Sequence, residues 1–310
     1  MRDEAVRSPG LGAPELALPG GEPAKTWDRL RQVVEFLEES RLGRDGCVVA
    51  VGGGSIGDLA GFAAAIWQRG VAHLQVPTTL LGMVDSAIGG KTAINTEAAK
   101  NAVGAFWQPV AVVADLEHLD TLAGSQLRSG LAEVVKYAVA MDADLAGILD
   151  SSGGDLLARE TSTLEDVIAR CVQLKAGVVA EDERELSGRR AILNYGHTAG
   201  HALEAASGFQ VLHGQAIALG MRVAARVGEA TGLCDHALVE AQDGLLRAFG
   251  LPGDLPAVDP AAVAAALPRD KKAAGGRPRW VLPRALGRAE PGHEVPDAIV
   301  RRALAEALGA

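Results

Sequence analysis

The sequence has few cysteines and no long hydrophobic run. Its 310 residues include three cysteines, Cys47, Cys171 and Cys234, whose odd number and wide spacing argue against a disulfide framework and a CxxC metal knuckle. The longest apolar stretches, such as 61–66 and 261–267, are far shorter than the ~20 residues of a transmembrane helix. The N-terminal segment also lacks the apolar run of a secretion signal. These absences predict a cytoplasmic protein.

An excess of basic residues is also absent. The chain has 30 Lys and Arg against 39 Asp and Glu, a formal charge of -9, and its pI is about 5.3. Proteins that track nucleic-acid phosphates carry the opposite excess. We therefore expect neither a nucleic acid nor a membrane as a partner. The hydrophobic content of 48% is that of a globular protein, and the length suits two domains.

The spacing of hydrophobic residues divides the chain into two regions. In the first region, predicted strands at 47–51, 73–76 and 110–114 alternate with predicted helices at 26–40 and 55–66, an order typical of a mainly parallel sheet. After about Thr121 helical patterns dominate. These helices are predicted at 130–141, 164–180, 191–206, 211–231, 236–249 and 296–308, with one late strand at 279–282. The sequence thus predicts a Rossmann-like α/β domain over residues 1–121 and an all-α domain over 122–310.

A glycine-rich turn follows the first predicted strand. Residues 52–57, Gly-Gly-Gly-Ser-Ile-Gly, match G-x-G-x-x-G between a strand and a helix, where backbone N–H groups can bind a pyrophosphate. The acidic residue that usually follows about 20 positions later is replaced by Val-Pro-Thr-Thr at 76–79. This is therefore not the usual dinucleotide site. Glu22, Lys25 and Asp58 are candidates for nucleotide contacts, and a turn without a ligand is the alternative.

Histidines and one carboxylate suggest a metal site. His197 and His201 stand at i and i+4, one helical turn apart on one face, and His213 follows. Imidazole with a carboxylate is typical of catalytic zinc. The candidate carboxylate is Glu133, which forms an i, i+3 charged pair with Lys136 in an otherwise apolar helix. A salt bridge is the alternative interpretation of that pair.

Basic residues within apolar or glycine-rich segments suggest binding of phosphate or carboxylate groups. Solvated surface charges are the alternative for each of them. The segment Gly89-Gly90-Lys91-Thr92 resembles the end of a P-loop, but the upstream glycine of that motif would fall on Asp85, which excludes a P-loop ATPase. The basic residues are Arg69, Lys91, Lys100, Lys136, Lys175, Arg190, Lys271 and Lys272.

Several segments together resemble the sugar phosphate cyclase family, which includes the 3-dehydroquinate synthases. The resemblance runs from about Pro19 to the C-terminus in the family's order, and as a set the motifs are highly specific. The matching stretches are GGGSIGDLAGFAAA (52–65), QRG (68–70), QVPTTLLGMVDSAIGGKTAIN (75–95), KNAVGAFWQP (100–109), SGLAEVVKYA (129–138), LNYGHTAGHALEA (193–205), LHGQAIALGM (212–221) and DKK (270–272).

The resemblance implies a metal site that differs from the histidine pair. It implies that Glu133, His197 and His213 hold a divalent metal, zinc or alternatively cobalt, and that His201 stays free for proton transfer. It also implies NAD contacts from Gly20, Gly21, Glu22, Pro23, Ala24, Lys25, Gly54, Ser55, Ile56, Gly57, Asp58, Thr78, Thr79, Lys91, Lys100, His118, Leu119, Asp120 and Thr121. The implied substrate contacts are Arg69, Asp85, Lys91, Asn101, Lys136, Arg190, Asn194, His201 and Lys271, with Lys272 as the alternative to Lys271.

The implied reaction converts 3-deoxy-D-arabino-heptulosonate 7-phosphate to 3-dehydroquinate and phosphate, with NAD regenerated in each turnover. Arg190 four residues before Asn194 is the combination associated with carboxylate-bearing substrates, since Arg binds a carboxylate in a bidentate fork. The alternatives are an amino-dehydroquinate synthase, a metal-dependent polyol or glycerol-phosphate dehydrogenase, and an inactive homologue. A homodimer is expected from the resemblance.

Two departures from the family pattern carry expectations. Gln215 stands where the family commonly has Glu after His-Gly, and we expect a modest effect. Family members also carry a strand-helix-strand portion ahead of the LPGGE segment, residues 18–22, and a βαβ unit needs roughly 30 residues. With 18 residues before Pro19, we expect an apparently truncated nucleotide domain, with weaker NAD binding or lower stability than a full-length relative.

Overall fold

The computed structural model describes residues 12–97, 99–267 and 278–309. It divides into two compact units, Met1–Ala123 and Gly124–Ala310. The first unit is built on a parallel sheet and the second unit on packed helices. This is the α/β and helical architecture that the hydrophobic periodicity predicts.

The first unit contains helices α1 (Trp27–Glu39) and α2 (Gly54–Ile66) and a parallel sheet of β1 (Cys47–Gly52), β2 (Ala72–Pro77) and β5 (Ala111–Val112), whose strands follow the order β1-β2-β5. Helices α1 and α2 contribute to the hydrophobic core of this unit. Leu30, Leu59 and Ile94 are almost completely buried in that core. Thr26 caps α1, because its hydroxyl accepts a hydrogen bond from the Arg29 N–H at 3.2 Å.

A hairpin interrupts this parallel arrangement. Strands β3 (Lys91–Ile94) and β4 (Val103–Phe106) pair antiparallel, with Lys91 opposite Phe106. The sequence pattern does not predict this hairpin, because each strand has only 4 residues, too few to show an alternation of polar and apolar side chains. The hairpin places Lys91 at the start of one strand and the Lys100–Asn101 turn between the two strands.

His73 is a buried polar residue in the central strand β2. Its side chain is completely buried, and within the described ranges neither ring nitrogen has a hydrogen-bond partner. Burial lowers the pKa of His73 below its ordinary 6.5, because the charged ring loses its hydration. The unfolded chain therefore binds the proton more readily than the native protein, and stability decreases as the pH falls below about 6.5.

We expect His73→Leu to reduce the acid sensitivity of the fold. Between about pH 7.5 and about pH 5.5 the parent should lose more unfolding free energy than the variant, up to about 1.4 kcal/mol for a ring that stays neutral over this range. Thermal or urea unfolding at the two pH values measures this. The matched variant His236→Leu changes an exposed histidine. It should lose as much unfolding free energy between the two pH values as the parent does. An equal loss in parent and His73→Leu would contradict the expectation.

The second unit is mainly helical and includes one antiparallel hairpin. The hairpin joins β6 (Trp280–Ala285) to β7 (Arg288–His293), so the late strand expected at 279–282 is longer and has a partner. Helices α4 and α9 were not expected from the sequence. The helices are α3 (Gly124–Met141), α4 (Ala143–Leu157), α5 (Thr161–Glu181), α6 (His197–Ala206), α7 (His213–Ala230), α8 (His236–Ala248), α9 (Pro260–Ala266) and α10 (Asp297–Leu308). Over the part of the chain described, no helix combines the length and apolar character needed to span a membrane.

The helix expected at 191–206 is broken. The structure has a 3₁₀ turn, Arg189–Asn194, followed by α6, which begins at His197. Gly196 between them has φ 79°, a left-handed conformation that ends one helical segment and that glycine adopts without steric cost. As a result His197 is the first residue of α6.

Glycines allow three helices to approach closely. A Cβ at Gly214 of α7 would overlap the backbone of Ser129 in α3, and a Cβ at Gly220 of α7 would overlap the carbonyl oxygen of Gly196. At Gly200 of α6 an added Cβ would lie 2.8 Å from Ile217 Cδ1. The Ser129 hydroxyl accepts a hydrogen bond from the Gly214 N–H at 2.9 Å. These contacts bring α3, α6 and α7 together.

Candidate metal centre and active-site residues

The helices α3, α6 and α7 each supply one side chain to a cluster in the second unit. Glu133 comes from the middle of α3, His197 is the first residue of α6 and His213 is the first residue of α7. One ligand atom of each residue lies within 4.8 Å of the others. Glu133 Oε1 is 3.6 Å from His197 Nε2 and 3.3 Å from His213 Nε2.

The donor set of this cluster fits a divalent metal. Glu133 is completely buried, and a buried carboxylate needs compensating positive charge. Two imidazoles and one carboxylate with an open fourth position are the ligands of catalytic zinc. The Nδ1 of His197 lies 3.1 Å from the Tyr195 carbonyl oxygen. Donation of the Nδ1 proton to that carbonyl leaves the Nε2 lone pair directed at the cluster.

The two histidines of the cluster differ in their pKa values. Burial lowers the pKa of His197 to about 3, with nearby Lys136 adding to the effect. Burial would also lower the pKa of His213, but hydrogen bonding with Glu133 and Glu204 outweighs it and raises that pKa to about 10. A metal held by this cluster would therefore compete with a proton at His213 and not at His197.

Lys136 forms an ion pair with Glu133 inside the second unit. Its ammonium contacts Glu133 Oε2, and the two side chains are 2% and 0% exposed. The other carboxylate oxygen of Glu133, Oε1, faces His197 and His213. The structure contains the Glu133–Lys136 salt bridge, and it also leaves Oε1 of Glu133 facing two histidines that could hold a metal with it. The two interpretations do not exclude each other, because the two carboxylate oxygens face different partners.

His201 lies beside the cluster but outside it. Its ring centroid is 5.2 Å from that of His197 and 6.4 Å from that of His213. His201, Asn194 and His197 line a cavity of about 310 Å³, together with Arg279. The i, i+4 spacing correctly places His197 and His201 on one face, but the third cluster member is His213, as the family resemblance implies.

Arg190 is held in the second unit by the loop that precedes it. It is 2% exposed, and its guanidinium donates to the Glu183 carbonyl at 2.7 Å. Asp182 accepts the Arg190 backbone N–H at 3.1 Å and those of Leu186 and Ser187 at 2.7 and 3.1 Å. Burial opposes ionisation of Asp182, but these hydrogen bonds lower its pKa to about 2. A charged Asp182 therefore fixes the loop that carries Arg190.

Gln215 performs a local structural role beside His213. Its Oε1 accepts the Leu212 backbone N–H at 3.3 Å, and its Nε2 donates to the Asp254 carbonyl at 3.5 Å. A glutamate could accept the first hydrogen bond but could not donate the second. The amide therefore ties the start of α7 to the Asp254 loop.

In the first unit the glycine-rich turn leads directly into α2. Gly53 precedes the helix and has no side chain to cap it, and its carbonyl accepts the Ile56 N–H at 3.0 Å. The N–H groups of Gly54 and Ser55 at the start of α2 can therefore face an anion. The Thr78 N–H donates to the Gly52 carbonyl at 3.0 Å, and Thr79 Oγ1 accepts the Gly82 N–H at 3.0 Å. The ends of β1 and β2 are thereby held side by side.

A second set of expected site residues forms one hydrogen-bonded network in the first unit. The Lys25 ammonium is 2.5 Å from Asp58 Oδ2 and also contacts Asn101 Oδ1. Asn95 donates to Glu22 Oε2 at 2.6 Å and accepts the Asn101 N–H at 2.8 Å. Three residues expected to contact NAD, Glu22, Lys25 and Asp58, are thus joined to Asn101, expected to contact substrate.

The other expected site residues of the first unit occupy turns and strand ends. Arg69 ends a 3₁₀ turn, Trp67–Arg69, in a left-handed conformation with φ 69°, and Asp85 lies in the π-helical turn Gly82–Ser86. The 118–121 loop follows Asp115, whose side chain caps a 3₁₀ turn, and the Leu119 side chain is completely buried. Lys271 and Lys272 lie outside the described residues.

Three residues near these groups were not singled out from the sequence. They are Asn95 in the first unit, and Arg279 and Glu204 in the second unit. Glu204 could have been found from spacing, since 197, 201 and 204 follow the i, i+4, i+7 pattern of one helix face. Arg279 has no comparable signal, because β6 brings it to the cavity only in the folded unit.

Family models match most of the chain. A model described as 3-dehydroquinate synthase N-terminal matches residues 15–129, and one described as 3-dehydroquinate synthase C-terminal matches residues 130–273. The chain belongs to the 3-dehydroquinate synthase family. A family relative from Rhodopirellula baltica named 3-dehydroquinate synthase is 44% identical over 296 residues, which is 95% of this chain and 79% of the relative.

Solved structures of related cyclases share the fold of this family member. The 2-epi-5-epi-valiolone synthase ValA from Streptomyces hygroscopicus subsp. jinggangensis, with NAD+ and Zn2+ bound, is 29% identical with a TM-score of 0.87 over 94% of this chain and 81% of its own. A 2-deoxy-scyllo-inosose synthase complexed with carbaglucose-6-phosphate, NAD+ and Co2+ is 30% identical with a TM-score of 0.86, covering 94% and 82%.

Proposed function

We propose that this chain is a 3-dehydroquinate synthase that converts 3-deoxy-D-arabino-heptulosonate 7-phosphate to 3-dehydroquinate and phosphate. The observation that carries the proposal is the Glu133, His197 and His213 cluster beside a cavity lined by His201 and Asn194. The 44% identity to a relative of that name supports the choice of substrate within the family. The chain would therefore act on a phosphorylated sugar acid.

Glu133, His197 and His213 would hold the divalent metal, zinc or cobalt. When bound, such an ion stabilises negative charge that develops on a substrate hydroxyl oxygen during its oxidation. The neutral Nε2 of His197 and the buried Glu133 carboxylate are ready to coordinate it, whereas His213 must first lose its proton. Lys136 balances the second oxygen of Glu133 and limits the loss of stability that an unpaired buried carboxylate would cause.

NAD would bind to turns and loops of the first unit. These are the glycine-rich turn, the 20–25 loop, Thr78, Thr79, Lys100 and the 118–121 loop. When bound, NAD would supply reversible oxidation of one secondary alcohol of the substrate, by taking a hydride from the carbon that bears the hydroxyl and returning it in the same turnover, so that the cofactor undergoes no net change in oxidation state. The first turn of α2 would place its N–H groups against the pyrophosphate. The Lys25–Asp58 ion pair fixes the chain that precedes α1 to this helix.

The remaining expected contacts would orient the substrate and move protons. His201 is exposed on the cavity wall, where an imidazole can accept a proton from a bound substrate and return it. Arg190 and Lys136 supply the positive charge that binds carboxylate and phosphate groups, and Asn194 supplies a neutral hydrogen-bonding group. From the first unit the proposed contacts are Arg69, Asp85, Lys91 and Asn101, and Lys271 is proposed from outside the described residues.

The proposal predicts phosphate release without accumulation of reduced cofactor. Purified protein with zinc, NAD and 3-deoxy-D-arabino-heptulosonate 7-phosphate should release one phosphate per substrate, while absorbance at 340 nm stays constant because NAD is regenerated. Removal of zinc with a chelator should stop the release, and addition of zinc should restore it. Stoichiometric NADH formation would instead identify a dehydrogenase. Absence of phosphate release from zinc- and NAD-loaded protein would reject this substrate.

A further inference from the structure

We propose that Glu204 is a positioning residue that orients His213 for metal binding. The inference rests on the proposed metal site. Glu204 belongs to α6, and its Oε1 lies 3.7 Å from Nδ1 of His213, while Nε2 of the same ring lies 3.3 Å from Glu133 Oε1. The imidazole of His213 therefore stands between two carboxylates, one on each ring nitrogen.

The burial of Glu204 sets it apart from an ordinary surface carboxylate. Its side chain is 6% exposed, whereas that of His213 is 31% exposed. Taking a carboxylate out of water is costly unless positive charge or hydrogen-bond donors face it. Once His213 loses its Nε2 proton on metal binding, the Nδ1–H that remains on the Glu204 side supplies such a donor and leaves Nε2 free toward Glu133. Glu204 would thereby fix both the orientation and the tautomer of the His213 ring.

The backbone around Glu204 is held at the end of α6. The Glu204 carbonyl accepts the Phe209 N–H at 2.7 Å and the Ser207 hydroxyl at 3.0 Å. This end of α6 is therefore tied down, and the i, i+7 spacing places Glu204 on the same face of the helix as His197. His197 and Glu204 are two helical turns apart, so one helix would supply both a metal ligand and the group that orients another ligand.

The two histidines of the cluster use different orienting groups. His197 Nδ1 faces a backbone carbonyl, that of Tyr195, which no side-chain substitution removes. His213 Nδ1 faces a side-chain carboxylate. The orientation of His213 can therefore be tested by mutation without disturbing the partner of His197.

The test measures metal affinity rather than turnover. For Glu204→Gln we expect the zinc dissociation constant, measured by competition with a chromophoric chelator, to rise about 10- to 100-fold, the usual effect of losing a carboxylate behind a histidine ligand. The visible absorption spectrum of the Co2+-loaded variant should also shift. Glu204→Asp keeps the negative charge but has a side chain shorter by one methylene. Its zinc dissociation constant should lie between those of Glu204→Gln and the parent. Glu240→Gln, at an exposed carboxylate 3.9 Å from His236 Nε2, is the matched control and should bind zinc like the parent.

A double-mutant cycle separates orientation of His213 from general support of the fold. In a His213→Ala background, Glu204→Gln should cause no further loss of zinc affinity, because the group it orients is gone. An equal loss in that background, or zinc affinity within about twofold of the parent for both Glu204 variants, would overturn the inference. Failure of the parent itself to bind zinc would instead reject the metal site in the proposed function.

Discussion

Replacing His197 by alanine is expected to lower phosphate release by about 10³-fold or more, equivalent to about 4 kcal/mol of transition-state stabilisation. The substitution removes the proposed ligand, whose buried ring has a pKa of about 3 and is therefore neutral at pH 7. It leaves Glu133 and His213, which together offer one carboxylate and one imidazole that carries a proton. Two such ligands bind zinc weakly, because the metal must displace the proton and lacks its third protein ligand.

The measurement combines phosphate release with the zinc content of the purified variant after dialysis. His236→Ala is the matched control, since His236 is an exposed histidine at the start of another helix, and it should keep the parent's activity and zinc. Retention of more than about a tenth of the parent's activity by His197→Ala, at full zinc content, would show that the metal centre is elsewhere. Recovery of phosphate release when excess zinc is added would show that His197→Ala lost activity because it binds zinc more weakly.

Gly220→Ala is expected to destabilise the second unit by about 3 kcal/mol or more and to weaken zinc binding. The added Cβ would overlap the Gly196 carbonyl oxygen and lie 2.8 Å from the Gly200 backbone nitrogen. Both obstacles are backbone atoms, which cannot rotate away as a flexible side chain can. Helix α7 would have to move from the start of α6, where His197 is located, and the distance between the histidine ligands would change.

The control for this prediction is the same substitution in an open position. Gly177 lies within α5, and an added Cβ there meets no atom within 4 Å. Gly177→Ala should therefore stabilise the protein by about 0.5 to 1 kcal/mol, since alanine is the better helix former. Urea unfolding and zinc titration of both variants measure the contrast. Equal stabilities for the two variants would show that α6 and α7 can separate at no cost.

Where the sequence carries a strong local signal, it predicts the elements of the fold closely. The segment 26–40 predicts α1 because Leu30, Val33 and Leu37 repeat on one face, and in the structure Thr26 caps this helix. Helices were also expected at 236–249 and 296–308, where α8 and α10 lie. The hairpin of β3 and β4 and the break at Gly196 were not predicted, because short strands and a left-handed glycine leave little trace in hydrophobic spacing.

The Glu133, His197 and His213 cluster shows what residue spacing along the chain can predict and what it cannot. The spacing of His197 and His201 places both rings on one face of α6, and this holds in the structure. Spacing cannot indicate that His213, at the start of the next helix, meets His197 at Glu133. That proximity depends on how closely α6 and α7 pack, which the glycines at 200 and 220 permit.

By itself the sequence determined the family, the order of an α/β unit before a helical unit, and the residue types available for metal, nucleotide and phosphate binding. Motifs and periodicity are local properties, so they can be read along the chain. Only the tertiary structure decided that Glu133 faces two histidines with one oxygen and Lys136 with the other, and that Glu204 stands behind His213. These pairings join residues on different helices, and their distances depend on packing between helices rather than on sequence separation.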